Sequence, residues 1–86
     1  MVNLDLSQLD TIQPGHLRVL QAIDQGMRNH EYVPMTLIAT LAGISSTELY
    51  LNDLHRLKLV ARMNHVNYTL TYLGADYLAL TILKKK

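Results

Sequence analysis

Apolar residues along this chain recur in two rhythms, and the change from one to the other marks its elements. Between Pro14 and Arg28, Leu17, Leu20, Ile23 and Met27 return at spacings of three, three and four, with Arg18, Gln21, Asp24, Gln25 and Arg28 mostly on the other side. That period predicts a helix with one buried face. Pro14 suits its first position, where a missing N–H is no loss. Ahead of it, residues 1–13 space Leu4, Leu6, Leu9 and Ile12 among polar residues, which predicts a short helix or a docked arm. After a polar break at Asn29-His30-Glu31, Tyr32-Val33-Pro34 is expected to be a minimal strand, because the residue before proline avoids the helical region. Leu37, Ile38, Leu41 and Ala42 predict a second helix over about 37–42, capped by Thr36. Tyr50, Leu51, Leu54 and Leu57 form the inward stripe of a third, over about 46–58. They leave Thr47, Glu48, Asn52, Asp53, His55 and Arg56 mainly outside. Residues 59–63 and 66–71 then shift to a period of two, with Tyr68 and Leu70 alternating with Asn67, Thr69 and Thr71. Asn64-His65 is the expected turn of this short wing.

The join between the second and third helices carries the most specific spacing. Ala39 is small where two helices would pack closely, and Gly43 falls where a turn needs positive φ. Ile44 would plug the angle between the helices. Ser45 would cap the third helix, with Glu48 three residues on completing a capping box. Residues 14–86 therefore read as a winged helix-turn-helix: mostly α, with a small β-hairpin wing and a sheet of two or three strands. The last helix, from about Tyr72, is less typical. Leu73, Ala75, Tyr77, Leu78, Ala79, Leu80, Ile82 and Leu83 surround most of its circumference. A small domain cannot bury all of that against its own core, so Tyr77, Leu80 and Leu83 are expected to pack against a second copy or another domain.

Composition narrows the classes. With 49% apolar residues in 86, the chain suits one packed domain rather than a disordered segment. The absence of cysteine excludes disulfides and thiolate metal sites and permits an intracellular home, with a cytoplasmic location expected. No apolar run approaches the ~18–20 residues of a membrane span, so no membrane partner is expected. The net charge of +1 hides an asymmetry: up to His55, two arginines face six carboxylates, whereas after it six cations face Asp76 alone. A basic second half attracts phosphates. Three of its cations are the terminal lysines, which a solvated tail explains equally well.

In this architecture the third helix is the one that enters a groove. Its candidates for nucleic-acid contact are Ser46, Asn52, His55 and Arg56, since Asn pairs bidentately with adenine and Arg with guanine. Lys58, Arg62, His65 and Asn67 add a second group, suited to an RNA backbone or a minor groove. Glu48 and Asp53 bring negative charge to the same helix, and a solvated face remains the plain alternative. His16, His30, His55 and His65 are scattered without metal-ligand spacing, so neither a metal nor a catalytic role is expected of them. His30 is read as ordering the turn after the first helix. Tyr32, Tyr68 and Tyr77 are read as core residues, and packing is preferred over base stacking for Tyr50 and Tyr72.

Beyond the fold, particular blocks carry a resemblance. Gly26-Met27-Arg28-Asn29-His30-Glu31-Tyr32-Val33-Pro34 with Leu37-Ile38-Ala39, then Leu54, Lys58-Leu59-Val60-Ala61, Tyr68-x-Leu70-Thr71 and Gly74-x-Asp76-Tyr77-Leu78-Ala79-Leu80, resemble the N-terminal domain of the second Rio kinase subfamily. The short wing resembles archaeal members more than eukaryotic ones. The resemblance implies a winged helix ahead of a two-lobed atypical serine/threonine kinase domain that uses ATP with magnesium or manganese. It also implies a role in maturation of the small ribosomal subunit, with the winged helix docking on ribosomal RNA or a pre-small-subunit particle. The chain departs from that pattern after Lys86, where kinase lobes are expected downstream. It contains no glycine-rich phosphate loop, nucleotide-binding lysine or catalytic-loop aspartate, so no catalytic residue is expected in it. The alternative from a different class is a stand-alone archaeal winged-helix transcription regulator that binds double-stranded DNA as a dimer.

Overall fold

The computed structural model describes residues 12–84, with side chains through residue 81. Helix α1 spans Pro14–Gly26, strand β1 Val33–Pro34, helix α2 Met35–Ala42 and helix α3 Thr47–Arg56. Strands β2 (Val60–Met63) and β3 (Asn67–Leu70) and helix α4 (Tyr72–Lys84) complete it. The strands form one antiparallel sheet in the order β1-β3-β2. Val33 lies opposite Tyr68, and Val60, Ala61, Arg62 and Met63 lie opposite Leu70, Thr69, Tyr68 and Asn67. Pro34 is tolerated because β1 is an edge strand. This is the winged helix-turn-helix expected from the sequence, with the three-stranded form of its sheet.

The core is the predicted one with additions, and without Met27 and Leu41, which are each 37% exposed rather than on a buried face. Leu20, Ile23, Ile38, Ala42, Leu51, Leu54, Tyr68 and Leu78 are buried, joined by Val19, Val33, Leu59 and Val60. Tyr50, Leu57, Leu73, Ile44 and Tyr77 pack against its margin. Gly43 has φ +66 and its N–H donates to the Ala39 carbonyl at 2.9 Å, so it ends α2 in the left-handed conformation that favours glycine.

The caps differ from expectation. Helix α2 starts at Met35 with Pro34 before it, so Thr36 lies inside the helix and accepts, through its carbonyl, a bond from the Thr40 hydroxyl instead of capping. The Met35 N–H is satisfied by the Val66 carbonyl at 2.7 Å, which ties the wing to the start of α2. Helix α3 begins at Thr47 without a side-chain cap from Ser46, so the Ser45–Glu48 capping box does not form. Thr47 is buried rather than exposed, and its hydroxyl donates to the Ile44 carbonyl at 2.7 Å. Tyr72 is 94% exposed, which corrects the expectation that it packs. Residues 1–11, with Leu4, Leu6 and Leu9 of the expected arm, and the Leu83 side chain lie outside the described residues.

Candidate nucleic-acid interface

Helix α3 presents a continuous outer stripe of Glu48, Leu49, Asn52, His55 and Arg56, all exposed. They follow the three-and-four spacing that places side chains above one another on one face. Ser46 stands exposed just before the helix. His55 and Arg56 occupy its last turn, where positive charge is favoured by the helix dipole. Leu49 was not singled out in the sequence, yet it is 66% exposed in the middle of this polar stripe.

Helix α3 ends in a tight reversal. Lys58 has φ +66, its N–H donates to the His55 carbonyl and the Leu59 N–H to the Leu54 carbonyl, both at 3.0 Å. This pair of bonds is the Schellman closure, and lysine occupies the left-handed position that glycine usually takes. The ammonium-bearing side chain is exposed there. The Lys58 carbonyl in turn accepts the Thr71 hydroxyl at 2.8 Å, so the reversal is fastened to the start of α4.

The wing divides its candidates. Asn64 and His65 form the turn, with φ of 56 and 66, and His65 is exposed at the tip. Arg62 lies opposite Tyr68, so it shares the sheet face of that buried ring and reaches solvent at the outer strand. Asn67 lies opposite Met63, on the other face, and is half-buried. Arg62 and Asn67 therefore do not act on the same side of the wing. Met63 (42% exposed) and Val66 (50%) give the tip an apolar character that charge-based reasoning passed over.

The most ordered polar arrangement joins α3 to α1. Arg56 donates to Asp53 Oδ1 at 3.0 Å, and His16 Nε2 lies 3.0 Å from Asp53 Oδ2. His16 Nδ1 accepts the Gln13 backbone N–H at 2.9 Å, which leaves Nε2 as the donor to Asp53. His16 is buried, with Tyr50 edge-on at a centroid distance of 4.7 Å. The sequence did not assign His16 this place, although its spacing from Leu20 and Ile23 continues the buried stripe of α1. His30 is exposed, and it is its backbone N–H that closes the turn, on the Gly26 carbonyl. Among the described residues no three His, Cys, Asp or Glu side chains converge as a metal site.

The comparison with known sequences decides what this surface belongs to. The sequence model of the Rio2 N-terminal domain matches residues 9–86. The chain belongs to the Rio2 N-terminal domain family. Among curated relatives, the serine/threonine-protein kinase RIO2 of Saccharomyces cerevisiae is 42% identical over 85 residues, covering 92% of this chain and 20% of that protein. The Caenorhabditis elegans RIO2 kinase is 40% identical over 88 residues, covering 96% and 17%. The crystal structure of the Rio2 kinase from Chaetomium thermophilum, in its complex with ADP, Mg2+ and phosphoaspartate, superposes with a TM-score of 0.83 at 36% identity. It covers 93% of this chain and 26% of that one. This member of the Rio2 N-terminal family thus spans about a sixth to a quarter of the length of those kinases.

Proposed function

We propose that this chain is the nucleic-acid-docking domain of a Rio-type serine/threonine kinase that acts, in the cytoplasm, in maturation of the small ribosomal subunit. Membership of the Rio2 N-terminal family carries this reading. The exposed Ser46 ahead of α3 and Asn52, His55 and Arg56 on it, with Lys58, Arg62 and His65 and, from the other face of the wing, Asn67, are its contact residues for ribosomal RNA or a pre-small-subunit particle. Asp53 and Glu48 on the same helix suit a few placed contacts better than a dense array on phosphates. ATP with magnesium or manganese would be held by the kinase lobes of such a protein. The apolar outer face of α4, with Leu80 60% exposed and Ala75 and Ala79 also exposed, is the surface this helix would offer to those lobes, with Tyr77 half-buried at the margin of the core. A DNA-binding regulator is not favoured, because the relatives this chain matches are kinases by name.

Binding of small-subunit ribosomal RNA segments, followed by fluorescence anisotropy across a salt series, tests the docking role. Each phosphate contact contributes roughly 0.7–0.9 to the slope of log affinity against log salt. Reversal of Arg56, Lys58 and Arg62 to Glu is expected to abolish most of the binding and flatten the slope, with the fold retained. Unchanged affinity in that triple variant would remove the basic surface from the reading.

A further inference from the structure

Arg56 is held in place, whereas Lys58 and Arg62 have no side-chain hydrogen bond among the described residues. Asp53 takes one guanidinium donor on Oδ1 and cannot swing away with it, because its Oδ2 accepts from His16. His16 is itself only 5% exposed and is tied through Nδ1 to the backbone at Gln13. A guanidinium that is 76% exposed is thereby anchored, through three hydrogen bonds, to the start of α1. An exposed carboxylate–arginine pair contributes little to stability. Its larger consequence is orientation: a planar fork already tethered on one side loses less freedom when it meets a partner.

Beside that fork lies an open cleft of about 420 Å³ between the start of α1 and the outer face of α3. Leu49 and Tyr50 give it an apolar wall, and Gln13 and Ser46 a polar rim. A phosphate gains nothing from Leu49 and is repelled by Asp53. A flat heterocycle uses both the wall and the fork. Guanine presents two adjacent acceptors, O6 and N7, matched to two neighbouring guanidinium donors; an unpaired cytosine offers O2 and N3 in the same way, but its single ring covers less of the wall than the fused rings of guanine. In paired RNA that edge lies in a deep, narrow groove closed to side chains, so the guanine has to be unpaired.

The geometry points to Arg56, braced by Asp53 and His16, as the reader of an unpaired guanine of RNA seated in the cleft beside Leu49 and Tyr50. This assignment rests on the RNA-docking reading above. Its test uses the full chain and small-subunit ribosomal RNA segments transcribed with either guanosine or 7-deazaguanosine, which lacks the N7 acceptor. The guanosine RNA is expected to bind roughly tenfold tighter, within the range of one good bidentate contact. Arg56→Met removes every donor and is expected to bind the two RNAs alike, whereas Lys58→Met removes the same charge and is expected to keep the preference. Asp53→Asn separates bracing from charge. Removing a carboxylate should tighten binding to any polyanion, yet loss of the brace should erase the preference for guanosine. Equal binding of both RNAs by the native chain overturns the guanine assignment and leaves docking intact. A full preference retained in Asp53→Asn overturns the brace. Binding of neither RNA at low salt means that the docking reading itself has failed, and this assignment with it.

Discussion

Two glycines are required at single positions for different reasons. At Gly43 the constraint is conformational: φ is +66, and an added Cβ would come no closer than 3.5 Å to the nearest non-adjacent atom, on Arg18. Gly43→Ala is therefore expected to cost about 1–2 kcal/mol through backbone strain alone. At Gly74 the constraint is space. Thr71 caps α4 by accepting the Gly74 N–H at 3.0 Å, and the helix starts so close to the reversal ahead of β2 that a Cβ would overlap the Leu59 carbonyl oxygen. Gly74→Ala is expected to cost more, about 2–3 kcal/mol, because backbone has to move. Urea denaturation of both variants checks the order, and a smaller loss at Gly74 would refute the close approach. Gly43 was legible from the helix-turn-helix spacing. Gly74 was not, since no local pattern reveals which carbonyl a distant turn presents to it.

At the scale of the element, the ends of α3 are harder to read from the sequence than its middle. Its inward stripe of Leu51 and Leu54 follows directly from periodicity. Its start was misread because Ser45 and Thr47 are both competent side chains, and the packing of Thr47 against the turn decided between them. Its end depends on Lys58 in a left-handed conformation that costs a side chain about 1–2 kcal/mol. Lys58→Gly is expected to raise stability by about 0.5–1 kcal/mol, after allowance for the greater freedom of glycine in the unfolded chain. It would at the same time remove a cation from the surface proposed to meet RNA. An increase in melting temperature together with weaker RNA binding would show that fold and contact pull in opposite directions at this residue. A lower melting temperature would contradict the strain.

For the whole molecule, α4 has one face committed and another open. Leu78 is 4% exposed within the core, whereas Leu80 is 60% exposed. An open apolar cleft of about 530 Å³ lies near the start of α4, where Met27, Leu70, Tyr72 and Ala75 meet. Leu78→Ala is expected to destabilise the chain by about 2–5 kcal/mol and Leu80→Glu by less than about 0.5 kcal/mol. In a full-length kinase carrying this domain, Leu80→Glu should instead lower the melting temperature by several degrees. No change there would withdraw α4 as the contact with the kinase lobes.

The sequence alone determined the order of elements, the Gly43 turn, the three-stranded limit of the sheet and the family, because these rest on local spacing, backbone preference and specific residue blocks. The tertiary structure decided what non-local contacts decide. It buried His16 against Asp53, thirty-seven positions away, and through them fixed Arg56. It set Arg62 and Asn67 on opposite faces through strand register, and left Leu49 and Tyr72 in solvent despite their apolar character. Hydrophobicity tells a chain how much to bury, and only the packing of elements from distant parts of the sequence settles which polar groups meet and which apolar ones remain outside.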